Sequence, residues 1–233
     1  MIKIKRGNIF SSKCETIVNT VNCMGVMGAG IAYEFKLRHP DMFKKYKKLC
    51  DNNLIDIGKL SIYQVDNSNS TYQKILNFPT KKSWKYPSKI EYLENGLKKF
   101  VDTYNEKSIK SIAFPLLGAG KGGIPSEHSL DIMQRYLSKC DIDIEIWYFD
   151  EEAEDNIYKE FKNKFLNLDS NSIKQLLKLR IDLIEKIKSA LLTRDDIHSI
   201  GQLKRVQGVG DTALEKSYQF INSYNQDKNL FTI

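Results

Sequence analysis

The chain has no apolar run long enough to cross a bilayer. Its N-terminus, MIKIKRGNIF, alternates like a strand where a secretory signal would be continuously apolar. A cytoplasmic protein is therefore expected. Cysteine is sparse and scattered, at Cys14, Cys23, Cys50 and Cys140, with no C-x-x-C pair. Histidine is sparser, with His39, His128 and His198 far apart. A disulfide framework or a zinc cage needs such residues clustered, so neither is expected, and no metal or other cofactor is expected. There is no internal repeat and no low-complexity tract.

What is present is an ordinary globular composition, 41% hydrophobic and 28% charged over 233 residues. The net charge is +7, which favours a polyanionic partner without proving one. Residues 1–168 hold 26 basic and 21 acidic side chains and residues 169–233 hold 10 and 8, so the basic bias is not confined to a tail. Over the first two-thirds, strand and helix signals alternate. IKIKRGNIF, ETIVNTVN, LSIYQV, KILNFPT, SIKSIAFPLL and IEIWYFD read as strands, short and bounded by turn residues. Between them lie helical stretches, the first of which Pro40 should break in two. In another, Ile90, Leu93, Leu97, Phe100 and Val101 share one face. Strands spaced by helices predict an α/β fold with a largely parallel sheet covered on both faces. After residue 167 the pattern becomes all-helical, with LDSNS as linker. The expected organisation is a sheet domain over 1–167 and a small all-α domain over 168–233.

Two glycine clusters punctuate the sheet domain. NCMGVMGAG holds Gly25, Gly28 and Gly30, and GAGKGG occupies residues 118–123. Each follows a strand and precedes a helix. In open α/β sheets ligands bind at such carboxyl-end crevices. Bare backbone there lets N–H groups approach phosphate, and the next helix N-terminus adds partial positive charge. One such loop is equally well explained as a tight turn. Two in one sheet favour a diphosphate ligand. GAGKGG also fits G-x-G-x-x-G, but it follows the fifth strand rather than opening the first βαβ unit, so a dinucleotide-dehydrogenase reading is weak.

The run TIVNTVNCMGVMGAGIAYEFK, with RGNIF before it and NFPTKKSW and SIAFPLLGAGKGG after it, resembles the macrodomain family, which binds ADP-ribose. The resemblance spans roughly residues 1–165. Within the family it is greatest to the DNA ADP-ribosyl glycohydrolase antitoxins (DarG-like) and to the human terminal ADP-ribose glycohydrolase. It implies a three-layer αβα sandwich around a mixed, largely parallel sheet. It places Asn8 and Ile9 at adenine recognition, where the family usually has Asp, and Asn22 at the distal ribose. Gly25, Val26, Met27, Gly28, Ala29 and Gly30 would form the first phosphate loop. Leu117, Gly118, Ala119, Gly120, Lys121, Gly122 and Gly123 would form the second. Phe149 would line the adenine end, or else serve as an ordinary core aromatic.

Three known hydrolytic routes separate on these residues. One macrodomain class carries an acid in the first loop, where this chain has Met27. Poly-ADP-ribose glycohydrolases use paired glutamates, which are missing. The third uses a lysine, and the FPTK motif of the DarG-like branch maps onto Thr80 and Lys81. A neutral amine can attack the sugar at C1″ or as its open-chain aldehyde, and water then resolves the lysyl intermediate. Such a lysine must lose its proton, which burial or cationic neighbours such as Lys82, Lys85 and Lys121 would favour. In a chain so rich in lysine, a Lys–Lys pair after a strand is otherwise solvated surface. Two departures stand out: Gly122 takes the place of the second-loop Asp of the terminal glycohydrolase, and Pro125 stands where DarG-like chains tend to have an acid. Glu127 and His128 follow.

In the last third, VQGVGDTALEKSYQFI resembles a helix–hairpin–helix. Gly208 and Gly210 would press the turn against a DNA backbone, flanked by Lys204, Arg205 and Lys216, without reading sequence. A helical hairpin used for packing or dimerisation is the rival. The combination implies a glycohydrolase that removes ADP-ribose from nucleic acid, with ADP-ribosylated DNA as substrate and an ADP-ribosyltransferase toxin as partner. The alternatives are a non-catalytic ADP-ribose reader and an enzyme acting on free ADP-ribose derivatives or on ADP-ribosylated protein.

Overall fold

A computed structural model of the chain describes residues 1–65, 70–154 and 156–230, and their side chains except at 156 and 222–230. The chain divides into two compact units, residues 1–150 and 151–233. In the first, the strands are Ile2–Gly7 (β1), Thr16–Asn22 (β2), Ser61–Gln64 (β3), Lys74–Lys81 (β4), Ser111–Pro115 (β5) and Asp143–Phe149 (β6). The helices are Gly30–Arg38 (α1), Pro40–Asp51 (α2), Ile90–Thr103 (α3) and Ser126–Leu137 (α4). The sheet order is β1-β6-β5-β2-β4-β3. Every pairing is parallel except that of β3 with β4.

Side-chain alternation decides which layer covers which face. Val18, Leu76, Phe78, Ile112, Phe114, Ile144 and Ile146 join one apolar cluster with Leu93, Leu97 and Phe100 of α3 and Ile132, Met133 and Leu137 of α4. Ile17, Val21, Ile75, Ala113 and Trp147 face the other way, onto Ala32 and Phe35 of α1 and Met42 and Tyr46 of α2. The two clusters are the two interfaces of an αβα sandwich. Ile90, assigned to the buried face of α3, is instead 47% exposed, because the sheet contact begins one turn later, at Leu93. Gly96 sets the depth of that contact: a Cβ there would stand 2.2 Å from the ring of Phe78. Pro40 breaks the first helical run as expected. It begins α2 at a position that needs no N–H donor, and His39 between the helices is non-helical.

The second unit holds Asn156–Asn167 (α5), Ser170–Leu177 (α6), Ile181–Thr193 (α7) and Asp211–Leu230 (α8). The expected boundary after residue 167 differs from the division at 150. Helix α5 belongs with the later helices, since Phe161 and Phe165 meet Phe220 edge-on at centroid distances of 6.2 and 6.3 Å. The LDSNS stretch is not a linker: Asp169 caps α6, accepting from the N–H groups of Asn171 and Ser172. The helical stretch over 172–192 is divided in two at Lys178, which takes a left-handed conformation. Between α7 and α8 lies the 3₁₀ turn Ile200–Arg205, started by a capping box between Ser199 and Gln202. Helix α8 runs to Leu230, and residues 231–233 lie outside the described residues. Among the described residues no helix is long and apolar enough to cross a membrane.

Candidate functional site

Because β1, β6, β5, β2 and β4 are mutually parallel, their carboxyl ends share one edge of the sheet. The segments leaving that edge are the ones singled out in the sequence. Asn8 and Ile9 follow β1, Phe149 ends β6, residues 116–123 follow β5, residues 23–30 follow β2, and Lys81 ends β4. From β1 to β4 is four strand spacings, about 19 Å. The edge can therefore accommodate an extended ligand with chemically distinct ends.

At the β2 end, Asn22 builds the first glycine loop. Its Oδ1 accepts from the N–H groups of Met24 and Val26 at 3.0 and 3.4 Å, and its Nδ2 donates to the Val26 carbonyl at 2.5 Å. The Tyr46 hydroxyl donates to the Asn22 carbonyl at 2.6 Å, fastening the strand end to α2. The carboxamide assigned to the ribose thus shapes the loop backbone. Met27 is 2% exposed and packs in the core with Phe35 and Met42, so that position can meet a ligand only through its backbone. Ala29 precedes α1 with no side chain capping the helix, which leaves its first N–H groups turned to the loop. Gly28, Ala29 and Gly30 are exposed there.

At the β5 end, Leu117 is fully buried, and its carbonyl accepts from the buried Ser129 hydroxyl at 2.7 Å. Its role too is confined to backbone. Residues Gly120–Gly122 form a 3₁₀ turn whose leading N–H groups have no partner within the turn. Gly120 and Lys121 are exposed.

Lys81 joins the two loops. Strands β2 and β4 slip register at Val21/Asn22: Val21 pairs with Pro79 and Asn22 with Lys81, so Thr80 is the extra residue of a bulge. Thr80 itself is buried. The Lys81 carbonyl accepts from the Cys23 N–H at 3.0 Å, on the first loop. Its Nζ donates to the Lys121 carbonyl at 2.5 Å, on the second. The three neighbouring lysines are placed differently. Lys82 lies 4.0 Å from Asp56, Lys85 sits over the ring of Trp84, and Lys121 contributes its carbonyl. Asp56 is a carboxylate that sequence spacing did not bring forward, since it arrives from the loop between α2 and β3. It also acts on Cys23, whose thiol is pushed up to about 11 by burial and then by Asp56.

At the β1 end, Asn8 Oδ1 accepts from the Phe10 N–H at 3.1 Å and caps the turn Ile9–Ser11, so the oxygen assigned to adenine has a structural partner. Ile9 is in the core. The turn is held from below: Glu145 accepts from Ser12 at 2.6 Å, from Lys5 at 2.5 Å and from Trp147 at 2.9 Å. Burial would raise the Glu145 carboxyl, but these hydrogen bonds hold it below its usual range. Phe149, paired with Gly7 across the sheet, is 72% exposed, which excludes the core-aromatic alternative. Glu127 and His128 lie exposed in the first turn of α4. A cavity of about 390 Å³ lies elsewhere, between α2 and the β3–β4 pair. Met42, Tyr46, Ile62, Tyr63 and Asn77 line it, and none of the residues assigned above does.

The hairpin assigned to DNA lies in the second unit. Gly208 has φ +91°, the left-handed turn its type allows, and Val209 is buried. The flanking cations have partners within the unit. Lys204 pairs with Asp211 at 3.0 Å, Arg205 with Glu151 at 3.1 Å and with Asp196 at 3.6 Å, and Lys216 donates to the Lys178 carbonyl at 3.0 Å.

Residues 18–133 match the family described as Macro domain. A curated DNA ADP-ribosyl glycohydrolase from Thermus aquaticus is 39% identical over 150 residues, a match covering 64% of this chain and 41% of that protein. The chain thus spans about two-fifths of that relative's length. Among solved structures, the macrodomain of Mycobacterium tuberculosis DarG is 40% identical with a TM-score of 0.58, and 97% of it is covered by 63% of this chain. Thermosipho africanus DarTG in complex with ADP-ribose is 33% identical with a TM-score of 0.59, over 64% of this chain and 41% of that one.

Proposed function

Since the chain belongs to the macro domain family, we propose that it is an ADP-ribosyl glycohydrolase that releases ADP-ribose from modified DNA, with Lys81 as nucleophile. The observation that carries this reading is that Lys81 links the two glycine loops, its carbonyl accepting from the Cys23 N–H at 3.0 Å and its Nζ donating to the Lys121 carbonyl at 2.5 Å. An amine that donates one N–H keeps its lone pair directed once it is neutral. It can then form a bond to C1″ as the bond from C1″ to the base breaks, with a proton passing to the base. Water adding at C1″ afterwards returns the amine and frees ADP-ribose. The order of elements along the edge supports one direction for the ligand, with adenine toward Phe149 and the β1 turn, the diphosphate over the two loops, and the scissile linkage at Lys81. An ADP-ribosyltransferase that installs the modification is the implied partner, and the shared compartment is the cytoplasm.

The test is release of ADP-ribose from ADP-ribosylated single-stranded DNA and from ADP-ribosylated protein, measured side by side. Wild type should act on the DNA, and Lys81→Ala should slow release by about a thousandfold. Full activity in Lys81→Ala would overturn the assignment. A reader without turnover is the second reading, favoured by the absence of a carboxylate from residues 118–126. It predicts ADP-ribose binding with no release from any adduct. For the second unit we infer a helix–hairpin–helix-like contact with nucleic acid made by backbone N–H groups around Gly208 and Gly210, since the side-chain cations already have partners.

A further inference from the structure

Residues 82–89, KSWKYPSK, leave the sheet edge immediately after Lys81. We propose that this segment docks the single-stranded nucleic acid that flanks the modified nucleotide. The inference rests on the glycohydrolase reading and adds a strand-binding surface to it.

Three observations support it. Residues 81–89 hold four lysines and no acid. Trp84 is 52% exposed and Tyr86 69%, two large rings left in water two residues apart. Isolated exposed rings are common, but a pair interleaved with lysine is the composition of a stacking platform. Lys85 Nζ already sits 5.6 Å from the Trp84 ring centroid, so charge and ring face share one patch.

The segment is also fixed in place. The Ser88 N–H donates to the Gly122 carbonyl at 2.8 Å, and the Lys85 N–H meets the Ser83 hydroxyl at 3.3 Å. Ser88 is buried beneath the second glycine loop: a Cβ at Gly122 would stand 2.8 Å from its Oγ, and one at Gly118 would stand 3.3 Å from its Cβ. The platform is thus tied to the loop whose Lys121 carbonyl receives the Lys81 amine. A strand lying on it would leave its modified nucleotide at that amine.

The chemistry selects the partner. Bases stack on aromatic faces whatever the sequence, and lysines meet the phosphates between them. A duplex hides its base faces, and a polypeptide offers no regular series of rings and anions. A single strand satisfies both features.

The test uses the full chain and the variants Trp84→Ala, Tyr86→Ala, the double variant and Trp84→Phe. Binding of unmodified oligothymidylate is measured by fluorescence anisotropy, and free ADP-ribose binding by calorimetry. Turnover is compared on an ADP-ribosylated oligonucleotide, an ADP-ribosylated mononucleoside and an ADP-ribosylated peptide. The double variant should bind the oligonucleotide at least about tenfold more weakly and raise its KM in parallel. Its ADP-ribose affinity, its kcat and its rate on the mononucleoside should not change. Trp84→Phe should retain most of the affinity, because it keeps a ring face. Unchanged oligonucleotide binding would overturn the proposal. So would an equal loss of free ADP-ribose binding, which would make the segment part of the sugar-nucleotide pocket, or an equal loss on the peptide, which would make it a protein-docking surface. If the wild type binds oligonucleotide through these rings yet releases nothing from DNA, the platform stands and the glycohydrolase reading fails.

Discussion

Gly118 and Gly120 sit two residues apart in one loop, both with positive φ, at 68° and 55°. Alanine at either position must adopt the left-handed conformation, which costs about 1 kcal/mol. Their surroundings separate them. A Cβ at Gly118 would lie 2.9 Å from Ile124 Cδ1, 3.0 Å from Leu93 Cδ1 and 3.3 Å from Ser88 Cβ, while one at Gly120 would meet nothing within 4 Å. Overpacking in a filled core adds about 1–3 kcal/mol. Gly118→Ala should therefore cost about 2–4 kcal/mol in all and Gly120→Ala about 1 kcal/mol. The open side of Gly120 is where the proposed diphosphate approaches, so Gly120→Ala should lower ADP-ribose affinity by about tenfold, more than its loss of stability accounts for. Urea unfolding followed by tryptophan fluorescence reads the first factor, because Trp84 and Trp147 both lie in the first unit. Titration calorimetry with ADP-ribose reads the second. Equal destabilisation by the two substitutions would refute the packing account. Wild-type ADP-ribose affinity in Gly120→Ala would refute the placement of the ligand.

His39, between α1 and α2, meets the Tyr72 hydroxyl at 2.6 Å, and burial followed by the neighbouring Arg38 pulls its pKa down to about 3. The unfolded chain takes up this proton near the ordinary value of about 6.5 and the folded chain only near 3. Stability from this site is complete above about 6.5 and declines as pH falls toward 3, by at most about 1.4 kcal/mol per unit. Urea midpoints of wild type and His39→Gln should converge or cross as pH drops from 7 to 4.5, and parallel profiles would refute the account. In the second unit, Lys204→Ala should lower DNA affinity by less than about threefold, because Lys204 is already paired with Asp211. Gly210→Glu, which fills open space and brings a carboxylate to the start of α8, should lower it by about tenfold. Equal effects of the two in a salt-matched filter-binding assay would argue against backbone contact.

Much of the sheet domain was legible because its signals are local. Each of the six strands is a short apolar stretch between turn residues, and Pro40 interrupts a helix for covalent reasons that hold anywhere. What escaped depended on contacts distant in sequence. Ile90 has helical spacing but lies before the point where α3 meets the sheet. Phe161 and Phe165 give α5 an apolar face without naming its partner, which is Phe220. Lys178 divides α6 from α7 by taking a left-handed conformation that a lysine seldom adopts, so composition gave no warning. At the edge of the sheet, the sequence located the two glycine loops and the lysine. It did not show that Asn8 and Asn22 use their carboxamide oxygens to build backbone turns, because an Asn that shapes a turn and an Asn that meets a ligand have the same letter. Asp56 was invisible for a different reason: only folding brings its loop to Lys82.

The proposed division of labour along the edge also gives a reason for a basic residue to carry the chemistry. In the proposed binding mode, a diphosphate over the two loops would place negative charge where a carboxylate would be repelled. Met27 at the first loop and Gly122 at the second leave those positions without acids. An amine carries no such charge once neutral, and one of its N–H groups is satisfied by the Lys121 carbonyl. The bulge at Thr80 makes this geometry available, because it puts Lys81 opposite Asn22, level with the start of the first loop. With the bulge removed, Lys81 would fall out of register by one residue and its side chain would turn to the other face of the sheet. The reach from strand end to second loop is therefore built into the backbone, and the nucleophile assigned to Lys81 depends on that extra residue as much as on the lysine itself.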